Sequence, residues 1–184
     1  MDKDAWEKAL TELTSGVGAL QPVETFSFGN HLGIALKFFQ DQNIDMAGKN
    51  LLDVGCFDDG IKRFLSSTWQ GFDIAPHAKC NSTIMVGDIH STNFEEKTFD
   101  IIFCSHALEH LLSPIMALNE MKRILKDDGS MIIAVPLYPG FISDEHNYVM
   151  PHGSWLHLFN RLKLQLVSDS QEKDCGMYHL RKTQ

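Results

Sequence analysis

Three aspartates stand at the ends of apolar runs, where a parallel sheet would present them to a ligand. Asp73 follows Asp53 by 20 residues, the spacing at which a carboxylate after a second strand accepts both hydroxyls of a nucleoside ribose. An aspartate after a strand can also simply cap a turn. Because Gly55 and Asp88 occupy matching places on neighbouring runs, the pattern favours a nucleoside site.

The turn within LLDVGCFDDG indicates the charge of the expected ligand. Phe57 stands where a cofactor-binding turn would have its second glycine, and the next glycine is Gly60. Asp58 and Asp59 put two carboxylates where a dinucleotide would place its pyrophosphate, which is a costly contact between like charges. One of them can cap a helix without removing the negative field. The turn therefore favours a ligand with a sulfonium and an ammonium and no phosphate, such as S-adenosylmethionine.

Histidines are the candidate acid–base groups. Histidine is suited to removing a proton from a neutral hydroxyl at physiological pH. The histidines predicted on loops over the site are His90, His106, His110, His146 and His152, although for each one taken singly a solvated or packed side chain is the favoured interpretation. The preferred base is His106, with His146 as the alternative on the substrate side, and no metal is expected. A metal site formed by His106, Glu109, His110 and His146 is the open alternative, since imidazole and carboxylate suit several divalent ions.

Alternating strands and helices must position these side chains. Strands are predicted in NLLDVG, QGFDI, STIMVGD, FDIIFCS and SMIIAVP, with a helix in SPIMALNEMKRIL that ends at Asp128-Gly129. Helices are also expected at about residues 4–13, from Gly29 to about Gln40, in IKRFLSS and in GSWLHLFNRL, and a hairpin closes the chain. This order predicts βαβ units and a buried parallel sheet, whose ligand site lies at the carboxyl ends of the strands.

Composition limits the class of protein. The 184 residues carry 16 basic and 24 acidic side chains, a formal charge of −8, and no basic stripe suited to a nucleic-acid backbone. The four cysteines are scattered, without a C-x-x-C pair, and buried free thiols are expected. The length predicts a single domain over 1–184, with a helical segment 1–45 and an α/β core 46–184. The charged N-terminus and the lack of a long apolar run predict a cytoplasmic location.

Four stretches in register resemble class I S-adenosylmethionine-dependent methyltransferases, particularly the small-molecule group called type 11. They are LLDVGC, GFDIAPHA, VGDIHSTNFEEKTFDIIFCSHALEHLLSP and ALNEMKRILKDDGSMIIAVP. The resemblance implies a Rossmann-like, doubly wound, mostly parallel seven-stranded sheet with an antiparallel C-terminal hairpin strand and N-terminal helices. Phe57 departs from the family's first motif and puts the close backbone approach to the cofactor in question.

The resemblance also implies roles for individual residues. Asp73 would hold the ribose hydroxyls, with Ile74 packed against adenine, while Asp88 would accept from the adenine amino group and Ile89 would offer a backbone contact. The methionine part would be flanked by Asp53, Gly55, Cys56, Phe57 and Ser105.

The predicted function is methyl transfer from S-adenosylmethionine to a small molecule. Oxygen is the preferred acceptor atom, nitrogen is possible, and the expected catalytic residues are His106, His110 and His146. The expected partners are a small-molecule substrate, without nucleic acid or membrane, in a monomer or homodimer. Two alternatives are a binding or scaffold protein that has lost turnover and, less favoured, a nicotinamide-dependent oxidoreductase.

Overall fold

The computed structural model describes residues 28–57, 61–62, 68–74, 84–140, 144–172 and 174–183, with the side chains of 28–32 left aside. The helices are α1 (Phe28–Asp41), α2 (Pro114–Ile124) and α3 (His152–Arg161), and a short 3-10 helix spans Leu108–His110. The strands are β1 (Asn50–Val54), β2 (Thr68–Asp73), β3 (Ile84–Val86), β4 (Phe99–Ser105), β5 (Leu125–Pro136), β6 (Leu164–Glu172) and β7 (Cys175–Lys182). The helix predicted at 4–13, most of IKRFLSS, and both Asp58 and Asp59 lie outside the described residues.

One seven-stranded sheet organises the chain in the order β3-β2-β1-β4-β5-β7-β6. The first five strands pair in parallel, while β7 runs antiparallel between β5 and β6. This confirms the predicted Rossmann-like sheet with an antiparallel C-terminal hairpin. The strand order reverses between β1 and β4, and a doubly wound sheet binds its ligand in the crevice at such a switch point.

Both faces of the central strands are covered, as a parallel sheet requires. On one face β1, β4 and β5 pack against α2 and α3, including Leu118, Trp155 and Phe159. On the other face they pack against α1 through Leu36 and Phe39. The near-continuous apolar runs of the sequence arise from this double burial. Cys56, Cys104 and Cys175 are buried free thiols, as expected, and Cys80 lies outside the described residues.

The junction between α2 and β5 differs from the prediction. The helix ends at Ile124 and the strand begins at once with Leu125, so Asp128 and Gly129 lie within β5 and do not end the helix. An irregularity in the β4–β5 pairing accommodates them. A Cβ at position 129 would lie 2.9 Å from the backbone oxygen of Asp100. The glycine is therefore required by the close approach of two strands and not by a turn.

Candidate active site

The turn after β1 is a left-handed bend that approaches two neighbouring strands. Gly55 has a φ of 69° and donates its N–H to the carbonyl of Phe72 at 2.8 Å. A Cβ on Gly55 would lie only 2.4 Å from the Cβ of Ala107, in the segment after β4. Phe57 has a φ of 53°, which is the region that favours glycine. The turn therefore keeps the backbone conformation that a second glycine would supply, although the residue is phenylalanine.

Asp73 lies at the end of β2 and faces this turn. Its Oδ2 accepts a hydrogen bond from the backbone N–H of Phe57 at 2.8 Å. Ile74 follows it with 72% of its surface exposed. Such a carboxylate can accept hydrogen bonds from a ribose, and the exposed apolar side chain after it offers a surface on which a base can pack. The structure thus places Asp73 and Ile74 next to the turn after β1.

Asp53 is held inside the sheet by a residue that the sequence reasoning missed. Only 4% of Asp53 is exposed, and its Oδ2 accepts from the indole Nε1 of Trp69 at 3.0 Å. Trp69 lies across Gly71, where a Cβ would come within 2.5 Å of the indole ring. The signal in the sequence is a glycine two residues after a tryptophan on one strand, since both side-chain positions then point to the same face.

Asp88 and His90 form a fixed corner after β3. Asp88 Oδ1 accepts from the His90 backbone N–H at 2.9 Å and contacts Nδ1 at 2.6 Å. These backbone and side-chain hydrogen bonds lower the pKa of Asp88. The N–H of Ser113, the cap of α2, donates to Nε2 at 3.2 Å, so the ring proton lies on Nδ1. His90 is therefore structural, while Ile89 is buried between these residues and the core.

His106 follows β4 and lies between a carboxylate and a thiol. Its Nδ1 is 3.1 Å from Oε1 of Glu109, whose side chain is fully buried. Its Nε2 is 3.5 Å from Sγ of Cys175, at the start of β7. Burial and then the charge of Glu109 raise the pKa of Cys175 to about 12, so this cysteine is a thiol at neutral pH. The sequence could not reveal this partner, which is 69 residues away.

The remaining predicted histidines separate into two groups. His110 and His146 lie together, with ring centroids 4.9 Å apart at 74°, and each has a ligating atom near one of Glu109. His152 contacts Tyr178 at 3.0 Å and Asp169 at 3.3 Å and belongs to the α3–hairpin packing. Ser105, the last residue of β4, is half-buried and pairs with Ala134. The switch point thus collects three of the histidines and excludes His152.

A cavity of about 400 Å³ opens at the end of the sheet opposite the carboxyl ends of the parallel strands. Its lining includes Lys49, Asp100, His179 and Arg181, at the amino ends of β1 and β4 and the carboxyl end of β7. None of the predicted site residues lines it. Among the described residues, no helix has the length and apolar character needed to cross a bilayer.

Comparison with known proteins agrees with this geometry. Residues 52–133 match the model of the methyltransferase domain family Methyltransf_11. A ubiquinone biosynthesis O-methyltransferase from Glaesserella parasuis is 30% identical over 121 residues, covering 55% of this chain and 51% of that protein. A tRNA U34 carboxymethyltransferase from Campylobacter hominis is 26% identical over 138 residues, covering 64% of this chain and 45% of that protein. The chain therefore spans about half the length of these curated relatives.

A solved structure extends the likeness to nearly the whole chain. The 1,6-didemethyltoxoflavin-N1-methyltransferase of Burkholderia thailandensis, solved with S-adenosylhomocysteine, superposes with a TM-score of 0.71 at 12% identity. The overlap covers 98% of this chain and 88% of that protein, and at this identity the likeness concerns the fold. The strand order, the turn and the match over residues 52–133 together show a Rossmann-like fold in which this stretch is similar to a methyltransferase domain.

Proposed function

We propose that this protein transfers a methyl group from S-adenosylmethionine to a small-molecule acceptor, with oxygen as the preferred acceptor atom. The observation that carries the proposal is the hydrogen bond that joins the turn after β1 to the carboxylate of Asp73 at the end of β2. Phe57 adopts the left-handed conformation of a glycine and donates its N–H to Asp73. Phenylalanine at this position departs from the family's first motif, but the backbone of the turn still has a conformation suited to cofactor binding.

The residues at the strand ends fit this cofactor. Asp73 would accept from the ribose hydroxyls, and adenine would cover Ile74, whose exposure otherwise leaves apolar surface in water. The Asp88 side chain is 58% exposed and can still meet an amino group, while buried Ile89 can contribute only its backbone. The methionine part would be held by Asp53, Gly55, Cys56, Phe57 and Ser105.

His106 is the proposed general base. When bound, S-adenosylmethionine supplies an electrophilic methyl group on its sulfonium sulfur. An ionised carboxylate only accepts hydrogen bonds, so His106 donates Nδ1–H to Glu109 and keeps a lone pair on Nε2. Cys175 is protonated and is a weak hydrogen-bond partner, and an acceptor hydroxyl can replace it at Nε2. In this arrangement Glu109 orients the ring and stabilises the imidazolium that forms when the hydroxyl proton is removed.

The proposed class of acceptor is argued from the net charge of the protein and from the relatives that its sequence matches. A formal charge of −8 disfavours a polyanionic acceptor, although one relative is named for a tRNA nucleoside. The O-methyltransferase relative supports a hydroxyl of a small molecule. The single domain over 1–184, the monomeric or dimeric state, the absence of nucleic-acid and membrane partners and the cytoplasmic location stay predictions. No acid–base role is proposed for His110 and His146, which group with Glu109.

Calorimetry and a transfer assay test the proposal. The protein should bind S-adenosylmethionine and S-adenosylhomocysteine and not NAD, and should transfer a labelled methyl group to members of a panel of phenols and catechols. Binding without transfer to any acceptor in that panel or to tRNA would favour the scaffold alternative. Binding of NAD in place of S-adenosylmethionine would refute the cofactor assignment.

A further inference from the structure

Three potential metal ligands converge beside the proposed base. One ligating atom from each of Glu109, His110 and His146 lies within 4.8 Å of the others. Glu109 and His110 belong to the 3-10 helix after β4, while His146 comes from the segment before α3. We infer that these three side chains bind a divalent transition-metal ion, although the sequence favours a metal-free site. His106 is not one of the ligands, because its two ring nitrogens face Glu109 and Cys175.

The tautomer of His110 is fixed in the form that a metal needs. Its Nδ1 lies 3.0 Å from the backbone carbonyl of Glu145, and a carbonyl oxygen can only accept. The ring proton is therefore on Nδ1, which leaves the lone pair of the neutral ring on Nε2. Metal-binding histidines typically show this arrangement, in which a carbonyl or carboxylate holds the nitrogen that does not ligate.

Glu109 supplies an independent reason to expect a cation. Its side chain is fully buried, and Oε1 accepts a hydrogen bond from Nδ1–H of His106. Its other oxygen, Oε2, is also buried and has no hydrogen-bond partner among the residues that the structure describes. A buried carboxylate oxygen without a partner is strongly unfavourable. A metal ion bound to Oε2 would satisfy this oxygen and leave the contact with His106 in place.

The segment that carries His146 is docked onto the 3-10 helix before any ion binds. The backbone N–H groups of Asn147 and Tyr148 donate to the carbonyl of Glu109 at 2.7 and 3.1 Å. The Asn147 side chain donates to the carbonyl of His110 at 2.9 Å. The Tyr148 hydroxyl donates to the carbonyl of Leu112 at 3.0 Å. Because these bonds fix the segment, metal binding does not have to order a loop.

The ligand types select the class of ion. Two imidazoles and one carboxylate suit Zn²⁺, Mn²⁺, Fe²⁺ and Co²⁺, whereas Ca²⁺ and Mg²⁺ prefer sites made wholly of oxygen. Three protein ligands leave coordination positions for water or for an oxygen of an acceptor. His110 is exposed at the surface, so an ion can enter from solvent. Ion binding can be measured without catalysis, and its outcome is therefore distinguishable from failure of the proposed methyl transfer.

Titration of the chelator-treated protein with Zn²⁺ and with Co²⁺ tests the inference. Calorimetry should show one saturable equivalent, and Co²⁺ should give the absorption bands of an ion bound to nitrogen and oxygen. His110→Ala and His146→Ala should each weaken binding at least about 100-fold, since even loss of a partner behind a ligand costs 10- to 100-fold. His157→Ala removes an exposed histidine on α3 and should change nothing.

Two results would overturn the inference. One is the absence of saturable binding to the folded wild-type protein. The other is a Zn²⁺ affinity that is the same in His110→Ala, His146→Ala and His157→Ala, because binding would then come from scattered surface histidines. Glu109→Gln keeps the shape of the buried side chain and should also weaken binding. The two histidine variants keep the test decisive if that variant fails to fold.

Discussion

The carboxylate of Asp73 accepts the backbone N–H of Phe57 at 2.8 Å, which ties the end of β2 to the turn after β1. The same acid that would hold a ribose therefore also fixes the turn that would hold the methionine part. Substitution of Asp73 should accordingly have two separable effects, one on the fold of the turn and one on ligand charge. Two different substitutions can separate them.

Asp73→Ala should weaken S-adenosylhomocysteine binding by tens-fold or more. It removes two charge-assisted hydrogen bonds to the ribose, each worth about 1.5–3 kcal/mol, and also the bond that holds the turn. Asp73→Asn keeps an oxygen that can accept from Phe57 and loses only the charge, so its loss of affinity should be smaller and its melting temperature unchanged. Calorimetry and thermal melts measure the two effects. Unchanged affinity in Asp73→Ala would show that this residue only caps a turn.

Phe57→Gly should be more stable than Phe57→Ala. Both variants lose the ring, but only glycine accepts a φ of 53° without the cost of about 1–2 kcal/mol that other residues incur. Glycine normally loosens a chain, but at this left-handed φ it is favoured over alanine. Urea unfolding should give a difference of about 1 kcal/mol in favour of glycine. Equal stabilities would mean that position 57 relaxes out of the left-handed region.

Gly55→Ala should destabilise the protein through two independent causes. The new Cβ would lie 2.4 Å from the Cβ of Ala107, and the φ of 69° is unfavourable for alanine. Crowding of this kind costs about 1–3 kcal/mol. Adding Ala107→Gly should recover the part due to the clash and leave the part due to φ. Strictly additive unfolding free energies in this double-mutant cycle would contradict the contact.

The sheet was predictable because short apolar or alternating runs of the sequence correspond to its strands. FDIIFCS matches β4 residue for residue, and the hairpin was readable from two short alternating runs and confirmed as β6 and β7. β5 begins five residues earlier than predicted, at Leu125 in place of Ser130. There the Asp128-Gly129 signal of a turn is overridden by pairing with β4, which is a tertiary contact.

The site was predictable only in part, because several of its contacts are also tertiary. Asp73 could be placed from its position at the end of a strand, whereas the role of Ile74 was implied only by the family resemblance. Three features depend on groups far apart in the chain: Trp69 on Asp53, Cys175 on His106, and the docking of Asn147 onto Glu109. No local pattern identifies the partners in these contacts, although the spacing of Trp69 and Gly71 does place both positions on one face of β2.

His106→Ala should reduce turnover by roughly 10²–10⁴-fold, which is the usual contribution of a general base. Affinity for S-adenosylhomocysteine should stay within a few-fold of wild type, since the proposed cofactor residues are not replaced. Cys175→Ala is the matched control, because it removes the thiol beside Nε2 and leaves the base. Initial rates with saturating acceptor measure both variants. If Cys175→Ala were as inactive as His106→Ala while remaining folded, the thiol and not the imidazole would be required.

The last prediction concerns His179, which lies on β7 away from the site. It is 6% exposed, and its Nε2 is 2.9 Å from the hydroxyl of Ser130. Burial, with a smaller effect from the charge of Arg181, lowers the pKa of His179 from 6.5 to about 4. Between these two pH values the unfolded chain binds a proton that the folded protein does not. Stability should therefore be complete above pH 6.5 and fall as the pH drops toward 4, by about 3 kcal/mol from this residue.

Urea unfolding of wild type and His179→Gln from pH 7.5 to 4.5 measures this effect. Glutamine can still bond to Ser130 but does not titrate, so the variant should lose less stability than wild type over this range. The salt-bridged Glu120 does not interfere, because hydrogen bonds from Arg123 and Thr92 lower its pKa to about 2 and its contribution is lost only below its ordinary value of 4.5. Parallel pH profiles for the two proteins would show that His179 is protonated without cost in the folded state.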